Sequence, residues 1–265
     1  SSMNRLFSHC ELFAGNIFGM TSLKGKTALV TGASKGIGKA IAIAFGEAGA
    51  NVVATGRNQD EITDVTATIS ARGSNALGVT ADLGVESEID LLVEAAKNEF
   101  GGVDILVNNA GIIQDRIPIV DLDADLWRDI LNVNLTGSFL ITQKLLSGMI
   151  ERGSGKIINI SSIGGRKGGY GRGAYRVTKA GLISFTETLA AEVYEHGIMV
   201  NAICPAGTDT EGFRQVFNTA GRSEDPKLME PKEIADVALF LAGDTSSSIT
   251  GAAIDAFGGS NPLFN

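Results

Sequence analysis

Cysteine and histidine are scarce in this sequence of 265 residues, which contains two of each. Cys10 and Cys204 cannot build a disulfide framework, so we expect small buried thiols in a reducing compartment. His9 and His196 have no neighbours that would complete a metal site or a catalytic triad. The sequence therefore predicts neither a bound metal nor a fold held together by disulfides.

Positive charge is also in deficit, because 22 Lys and Arg oppose 30 Asp and Glu, a formal net charge of −8. This field repels polyanions, so nucleic acid is not expected as a partner. No apolar run approaches the roughly 20 residues that span a bilayer, so we expect a cytoplasmic protein without a membrane anchor. Residues 1–19 are expected to be an N-terminal extension, from an upstream start or a vector, because Met20 offers a natural start. Glu11 and Asn16 interrupt the apolar residues of this stretch, so a secretory signal is not expected.

Proline is rare as well, with 5 residues against 34 glycines, a balance typical of many tight strand-to-helix turns. Apolar strand patterns alternate with helical patterns along the chain. This alternation predicts an α/β fold: a doubly wound parallel sheet (Rossmann fold) of about seven strands with helices on both faces, in one domain over residues 20–265. The predicted strands are Thr27–Thr31, Asn51–Thr55, Asn75–Thr80, Val103–Val107, Lys156–Ser161, Ile198–Ile203 and Ala252–Ala256. The helices predicted after the first glycine-rich turn are 60–72, 86–100, 123–150, 174–195 and 232–242.

A glycine-rich turn follows the first predicted strand, and a helical pattern follows the turn. In such a turn, backbone N–H groups and the helix dipole point at a phosphate. Gly32 permits the tight turn, Gly36 lets the backbone approach a pyrophosphate, and Gly38 lets the helix pack close to the strand. The alternative is a merely flexible turn. The dinucleotide site predicted here comprises Gly32, Ser34, Lys35, Gly36, Ile37 and Gly38.

The end of the second predicted strand bears on the choice of cofactor. An NAD site has an acidic residue there, which accepts a hydrogen bond from the ribose 2′-hydroxyl. This chain has Gly56 followed by Arg57, and Lys35 is available nearby. Both cations could pair with a 2′-phosphate. NADP(H) is therefore favoured, with NAD(H) as the alternative and with an Arg57 that points into solvent as the competing interpretation.

Other strand ends supply further candidate cofactor contacts. Asp82, followed by Leu83, could accept from an adenine amino group, although an N-cap for the next helix explains it nearly as well. The amides of Asn108-Asn109, with Ala110 and Gly111, could cradle the cofactor and pin neighbouring strands, or form an ordinary turn. Pro205 ends the sixth strand, and residues 206–229 are predicted to be a substrate lid, because long loops over a ligand edge are usually functional. The candidates from this region are Pro205, Thr208 and Thr210.

Catalytic chemistry is predicted in the stretch from Ser162 to Lys179. Tyr175 and Lys179 are four residues apart, so on a helix they share one face, and a nearby ammonium would lower the pKa of the phenol. Ser162 would lie at the carboxyl end of the fifth strand, where open sheets bind ligands. Tyr170 has no lysine at the same spacing. Tyr-x-x-x-Lys alone is a weak signal, since a partly exposed Tyr with a solvated Lys is the commoner outcome.

Asn134 interrupts the apolar face of the long helix predicted from Asp123. A buried amide needs partners, so we expect its side chain to bond to backbone or water. It either kinks the helix or holds a water near the site.

Taken together, these motifs resemble the short-chain dehydrogenase/reductase family, over about residues 23–259. The resemblance rests on Thr31-Gly32-x3-Gly36-x-Gly38, Asp82, Asn108-Asn109-Ala110-Gly111, Asn134, Ser162 and Tyr175-x-x-x-Lys179, in this order. It implies that Tyr175 is the proton donor in reduction, that Lys179 holds the nicotinamide ribose, that Ser162 binds the substrate oxygen and that Asn134 anchors a relay water. It also implies that Asp82 binds adenine and that Thr210 touches the carboxamide.

Within that family the chain looks most like 3-oxoacyl-thioester reductases, which implies an NADP-dependent reductase of a small-molecule or carrier-bound carbonyl. The alternatives are a polyol, sugar or cyclic-alcohol dehydrogenase, and a cofactor-binding scaffold without turnover. The resemblance further implies a homodimer or homotetramer. A basic cluster near the site could receive an anionic carrier or carboxylate, or be a solvated loop. The cluster comprises Arg166, Lys167, Arg172 and Arg176.

Overall fold

Seven parallel strands form one sheet in the computed structural model, which describes residues 21–217 and 228–260. The predicted extension at 1–19 and the middle of the predicted lid lie outside the described residues. The sheet order is β3-β2-β1-β4-β5-β6-β7. The strands are β1 (Thr27–Thr31), β2 (Asn51–Gly56), β3 (Ala76–Thr80), β4 (Ile105–Asn108), β5 (Gly155–Ile160), β6 (Ile198–Pro205) and β7 (Ala253–Ala256). The prediction of a doubly wound parallel sheet is confirmed.

Helices connect these strands and cover both faces of the sheet. They are α1 (Gly36–Glu47), α2 (Gln59–Ser70), α3 (Glu86–Phe100), α4 (Ala124–Leu131), α5 (Gly137–Arg152), α6 (Ile163–Arg166), α7 (Gly173–Val193), α8 (Glu211–Phe217) and α9 (Pro231–Ala242). No helix in the described ranges combines the length and the apolarity that crossing a membrane requires.

Two hydrophobic cores hold the helices against the sheet. Successive residues of a strand point to opposite faces, so Val30 of β1 joins the core under α1, α2 and α9, while Leu29 joins the core under α3, α5 and α7. Both side chains are fully buried. A fully buried side chain of this size contributes roughly 1.5–3 kcal/mol, so the near-continuous apolar strands stabilise both layers.

The structure corrects several predicted boundaries. The long helix expected from 123 to 150 is interrupted by a π-helical turn, Asn132–Thr136, between α4 and α5. The helix expected to end at 195 ends at Val193, and a 3₁₀ turn, Tyr194–His196, follows it. The predicted lid contains helix α8, which its polar and glycine-containing sequence did not indicate. A seven-residue helix is too short for its periodicity to stand out.

The strand order reverses between β1 and β4, which are neighbours in the sheet although β2 and β3 lie between them in sequence. A reversal of this kind opens a crevice at the carboxyl ends of the two strands. It is the position at which the glycine-rich turn after β1 and the Asn108-Asn109 segment after β4 come together.

Candidate active site

A cleft of about 480 Å³ lies at the carboxyl ends of the strands. It brings together most of the residues singled out from the sequence, but Gly38, Asn108, Asn134 and the four residues of the basic cluster are not among its lining residues. Those on its lining are Gly32, Ser34, Lys35, Gly36, Ile37, Arg57, Asp82, Leu83, Asn109, Ala110, Gly111, Ser162, Tyr175, Lys179, Pro205, Thr208 and Thr210.

The glycine-rich turn packs as closely as its sequence predicts. A Cβ at Gly38 would stand 2.2 Å from the carbonyl oxygen of Gly32, which leaves no room for a side chain. Gly36 has a φ of +56°, and a Cβ there would meet Thr210 at 3.1 Å. The Nδ2 group of Asn109 donates to the carbonyls of Thr31 and Gly32, at 2.9 and 3.1 Å. The predicted pinning of strand ends by this amide is confirmed, and a glycine-rich turn between a strand and a helix is a kind of backbone that can bind a phosphate.

The end of β2 carries hydroxyl and cationic groups. A Cβ at Gly56 would lie 3.3 Å from the Ser34 hydroxyl oxygen, so Ser34 stands directly over the strand end, and Arg57 lies beside it on the cleft. The Lys35 ammonium, however, is 3.5 Å from Glu61 and 3.7 Å from Glu211. Sequence reasoning missed both carboxylates, because they come from α2 and α8 rather than from the strand end.

Asp82 lines the cleft but does not cap α3. The N-cap position of that helix is Val85. Asp82 instead accepts the Gly84 N–H at 2.8 Å through Oδ1, and its own N–H donates to Glu88 at 2.7 Å. The alternative interpretation of Asp82 as an N-cap is therefore wrong, and a local turn holds its carboxylate at the cleft.

Tyr175 and Ser162 meet on one side of the cleft. Both approach Gly164, where a Cβ would lie 3.4 Å from the Ser162 hydroxyl oxygen and 3.4 Å from Cε1 of the Tyr175 ring. Ser162 is the N-cap of the short helix α6, and its hydroxyl oxygen accepts the Gly164 N–H at 3.0 Å. The hydroxyl and the phenol are thereby presented side by side at the end of β5.

Burial raises the pKa of Tyr175 above its ordinary value, and the Ser162 hydroxyl, Arg172 and Arg176 offset only part of that rise. The prediction that Lys179 would lower this pKa is wrong for the protein on its own. The Lys179 ammonium lies 5.7 Å from the centre of the ring, too far to outweigh the loss of solvent around the phenolate.

Lys179 is itself a perturbed group. It lies on α7 with 4% of its surface exposed, and its Nζ donates to the carbonyl of Ile160 at 2.8 Å. Burial lowers its pKa to about 8. A buried, strongly shifted lysine in a cleft, with two N–H donors beyond the Ile160 bond, is suited to a functional contact.

Asn134 lies in the π-helical turn and is fully buried. Its Oδ1 accepts the Ile112 N–H at 2.7 Å, and its Nδ2 donates to the Ile112 carbonyl at 3.1 Å and to Thr178 at 3.2 Å. The expectation that this amide bonds to backbone is confirmed. A Cβ at Gly111 would lie 3.3 Å from Asn134 Oδ1 and 3.6 Å from Lys179 Nζ, so both side chains face the same glycine.

The predicted basic cluster divides into separate contacts. Arg166 bonds to Asp255 of β7 at 2.7 Å, which neutralises it. Arg172 is 7% exposed, donates to the carbonyl of Gln114 at 3.0 Å, and stacks 3.9 Å from the centre of the Phe217 ring. Arg176 donates to the carbonyl of Lys167 at 2.6 Å. Burial lowers the pKa of Arg172, as do Arg176 and Arg116, a nearby cation that sequence reasoning missed.

The Rossmann crevice has a glycine-rich turn suited to a phosphate on one side and an ionisable phenol on the other. A nucleotide-dependent oxidoreductase has these two features. Comparison with known proteins narrows this class. The family model described as short chain dehydrogenase matches residues 26–221. The chain belongs to the short-chain dehydrogenase/reductase family, as its motifs predicted.

Curated relatives cover nearly the whole chain. It is 41% identical to the 3-oxoacyl-[acyl-carrier-protein] reductase FabG of Aquifex aeolicus, over 89% of this chain and 98% of that protein. It is 37% identical to the FabG of Vibrio cholerae, over 90% and 98%. Among solved structures, the 3-ketoacyl-(acyl-carrier-protein) reductase of Brucella melitensis complexed with NADH has a TM-score of 0.83 at 35% identity, covering 90% of this chain and 99% of that one.

Proposed function

We propose that this protein is an NADP(H)-dependent reductase. Its substrates are 3-oxoacyl thioesters, such as those on an acyl carrier, or related ketones, and its products are the corresponding hydroxy compounds. The observation that carries the proposal is the convergence of Tyr175, Ser162 and the buried Lys179 beside the glycine-rich turn. The curated reductases named above, which match about 90% of the chain, support the substrate class.

In the proposed reaction, bound NADPH supplies the hydride that reaches the carbonyl carbon. Ser162 donates its O–H to the carbonyl oxygen and orients the substrate. Tyr175 gives its phenolic proton to the same oxygen, which completes the alcohol. Tyr175 is protonated at neutral pH and can donate, although burial raises its pKa and so makes it a weaker acid than a solvated phenol. The reverse reaction would need the phenolate and therefore a higher pH.

Lys179 and Asn134 are proposed to return a proton to the Tyr175 phenolate after each turnover. Lys179 would hold the nicotinamide ribose through its remaining N–H groups, and Asn134 would anchor a water that returns protons through Lys179. The geometry that supports these roles is the approach of both side chains to Gly111. A lysine whose pKa is about 8 exchanges protons readily near neutral pH.

NADP(H) is the proposed cofactor because Ser34, Lys35 and Arg57 gather at the end of β2 without an acid at Gly56. The remaining cofactor contacts are proposed to come from Asp82 with Leu83 on adenine, from Gly32, Gly36, Ile37 and Gly38 on the pyrophosphate, from Asn109, Ala110 and Gly111 on the ribose side, and from Pro205, Thr208 and Thr210 on the carboxamide. NAD(H) is the alternative, since a similar structure holds NADH. Comparison of NADPH and NADH oxidation decides between them, and a preference for NADH would contradict the proposal.

We also propose that the protein works in the cytoplasm as a homodimer or homotetramer, with residues 206–229 as its substrate lid. Phe139 of α5 is 43% exposed and Val177 of α7 is 48% exposed, which leaves apolar surface on the two helices expected to pair. Light scattering of the purified protein measures the oligomeric state, and a monomer would contradict this part of the proposal.

The catalytic assignment is tested with Tyr175→Phe, using Tyr170→Phe as the matched control. Tyr170 is 70% exposed and lies five residues earlier in the chain. Loss of a general acid costs roughly 10²–10⁴-fold in kcat, which we expect only for Tyr175→Phe, while both variants bind NADPH. The assay uses 3-oxoacyl thioesters, sugars and cyclic ketones side by side. Turnover restricted to sugars or cyclic ketones would favour the dehydrogenase alternative, and a wild type that binds NADPH without oxidising it would favour the scaffold.

A further inference from the structure

Gln114 is a buried residue that contacts the catalytic helix from the loop after β4. Its side chain is 2% exposed, and its Oε1 accepts the backbone N–H of Tyr175 at 3.2 Å. The first N–H groups of any helix lack partners within the helix. Arg172, the N-cap residue of α7, supplies no side-chain cap, and the first intrahelical bond runs from the Arg176 N–H to the Arg172 carbonyl. Gln114 therefore caps the N–H group of Tyr175 itself.

Three further bonds fasten the same loop to the start of α7, and the longest of them runs from the Gln114 Nε2 group to the Gly171 carbonyl at 3.5 Å. The Gln114 carbonyl accepts from Nε of Arg172 at 3.0 Å, and the Ile117 N–H donates to the Gly171 carbonyl at 2.7 Å. The loop continues from Ala110 and Gly111, which line the cofactor side of the cleft. The wall of the nucleotide site and the helix that carries the phenol are thus joined through Gln114.

We infer that Gln114 is a positioning residue, which holds the Tyr175 phenol at the distance and angle that proton transfer requires. The inference rests on the proposed function, because it needs Tyr175 to be the proton donor. Tyr175 is the third residue of α7, and helix ends fray unless they are capped. A displacement of about 1 Å in a reacting group can cost 10²-fold in rate. Removing the cap should therefore lower turnover and leave nucleotide binding intact.

The experiment compares Gln114→Met, which keeps the length of the side chain but has no acceptor, with Gln114→Glu, which keeps an acceptor for the Tyr175 N–H. Asn201→Leu is the matched control. Asn201 is also 2% exposed, donates to the Ile249 carbonyl at 2.8 Å and accepts the Ala252 N–H at 3.1 Å, joining β6 to the segment before β7. The Asn201→Leu variant loses comparable hydrogen bonds, and neither of them involves α7.

Steady-state kinetics on the full-length variants, at equal folded fraction by thermal melting, separate positioning from general stability. For Gln114→Met we expect kcat to fall by roughly 10- to 100-fold with the KM for NADPH unchanged. Gln114→Glu should recover most of the lost kcat, and Asn201→Leu should keep the wild-type kcat even where its melting temperature drops.

Three outcomes would overturn the inference: a Gln114→Met kcat within twofold of wild type, an equal loss in Asn201→Leu, or no recovery in Gln114→Glu. Failure of the proposed function is recognised separately, because then the wild-type protein itself does not turn over ketones.

Discussion

Helix α7, which carries Tyr175, and helix α8, in the proposed lid, face the same cleft but are held in place by different kinds of contact. Helix α7 is fastened by buried, long-range hydrogen bonds: Lys179 Nζ to the Ile160 carbonyl at 2.8 Å, and the Ser161 hydroxyl to the Lys179 carbonyl at 2.7 Å. Helix α8 is held by two exposed ion pairs, Arg214–Asp209 and Lys35–Glu211, and by the stacking of Phe217 on Arg172.

This difference separates the proposed proton-transfer residues from the proposed lid. A buried hydrogen bond is expensive to leave unmade, whereas an exposed ion pair contributes little and is screened by salt. The proposed proton-transfer groups therefore lie on the part of the molecule that is held by buried hydrogen bonds, and helix α8 of the proposed lid lies on the part that is held mainly by exposed contacts. Changes on the rigid side should have large effects, and changes on the lid should have small ones.

The largest expected effect is on the glycine-rich turn. Gly38→Ala places a methyl group 2.2 Å from the Gly32 carbonyl oxygen and 2.4 Å from Nδ2 of Asn109. Because both neighbours are held in place, we expect a loss of roughly 4 kcal/mol in the free energy of unfolding together with loss of NADPH binding. Urea unfolding and fluorescence titration measure the two. Gly259→Ala, which would meet nothing within 4 Å, is the control and should change neither.

Next in size is the π-helical turn. Asn134→Ala leaves the N–H and carbonyl of Ile112 without their partners. Two half-buried backbone groups that lose their partners should lower the free energy of unfolding by about 3 kcal/mol. Asn132→Ala is a matched control in the same turn, since Asn132 is exposed and bonds only to the Gly84 carbonyl among the residues that the structure describes. Equal losses in the two variants would show that burial of Asn134 is not what stabilises the turn.

The pH dependence of stability tests the burial of Lys179. Its pKa is about 8 in the folded protein, against an ordinary lysine value of 10.5, so between these limits the unfolded chain binds more protons. The free energy of unfolding should therefore rise with pH, by about 2 kcal/mol between roughly pH 7 and pH 9.5. Lys179→Met should abolish this rise. Urea unfolding at several pH values measures both proteins, and parallel curves would contradict the buried, shifted ammonium.

Much of the rigid side was predictable from the sequence. Strands of a doubly wound sheet are buried on both faces, so β1 and β2 appear as continuous apolar runs, and the glycines at 32, 36 and 38 meet steric demands that arise within a few residues. The order of the motifs then identified the family. These features are local, and local features are what a sequence pattern reports.

What could not be predicted depends on residues distant in sequence. Gln114 caps Tyr175 from 61 residues away, and Glu61 and Glu211 approach Lys35 from two different helices. The predicted direction of the Tyr175 pKa shift was wrong for the same reason. The spacing of four residues indicated that the Lys179 ammonium lies near the phenol. The loss of solvent around the ring, which raises the pKa, is produced by the whole fold and cannot be read from that spacing.

The smallest expected effect is on Lys35, a cation that contacts both the rigid side and helix α8 of the proposed lid. Lys35 contacts Glu61 of the core helix α2 at 3.5 Å and Glu211 of the lid helix α8 at 3.7 Å, and all three side chains are at least a third exposed. Glu61→Gln and Glu211→Gln should each remove one of the two carboxylates that compete with a 2′-phosphate for Lys35, and leave the free energy of unfolding unchanged. The expected gain in NADPH affinity is about twofold to threefold, without a change for NADH, and it should shrink at high salt. Fluorescence titration of both variants measures it. If Glu211→Gln instead weakened NADPH binding while Glu61→Gln strengthened it, the Lys35–Glu211 pair would be holding the lid over the cofactor, and the lid would have to be counted with the rigid side of the site.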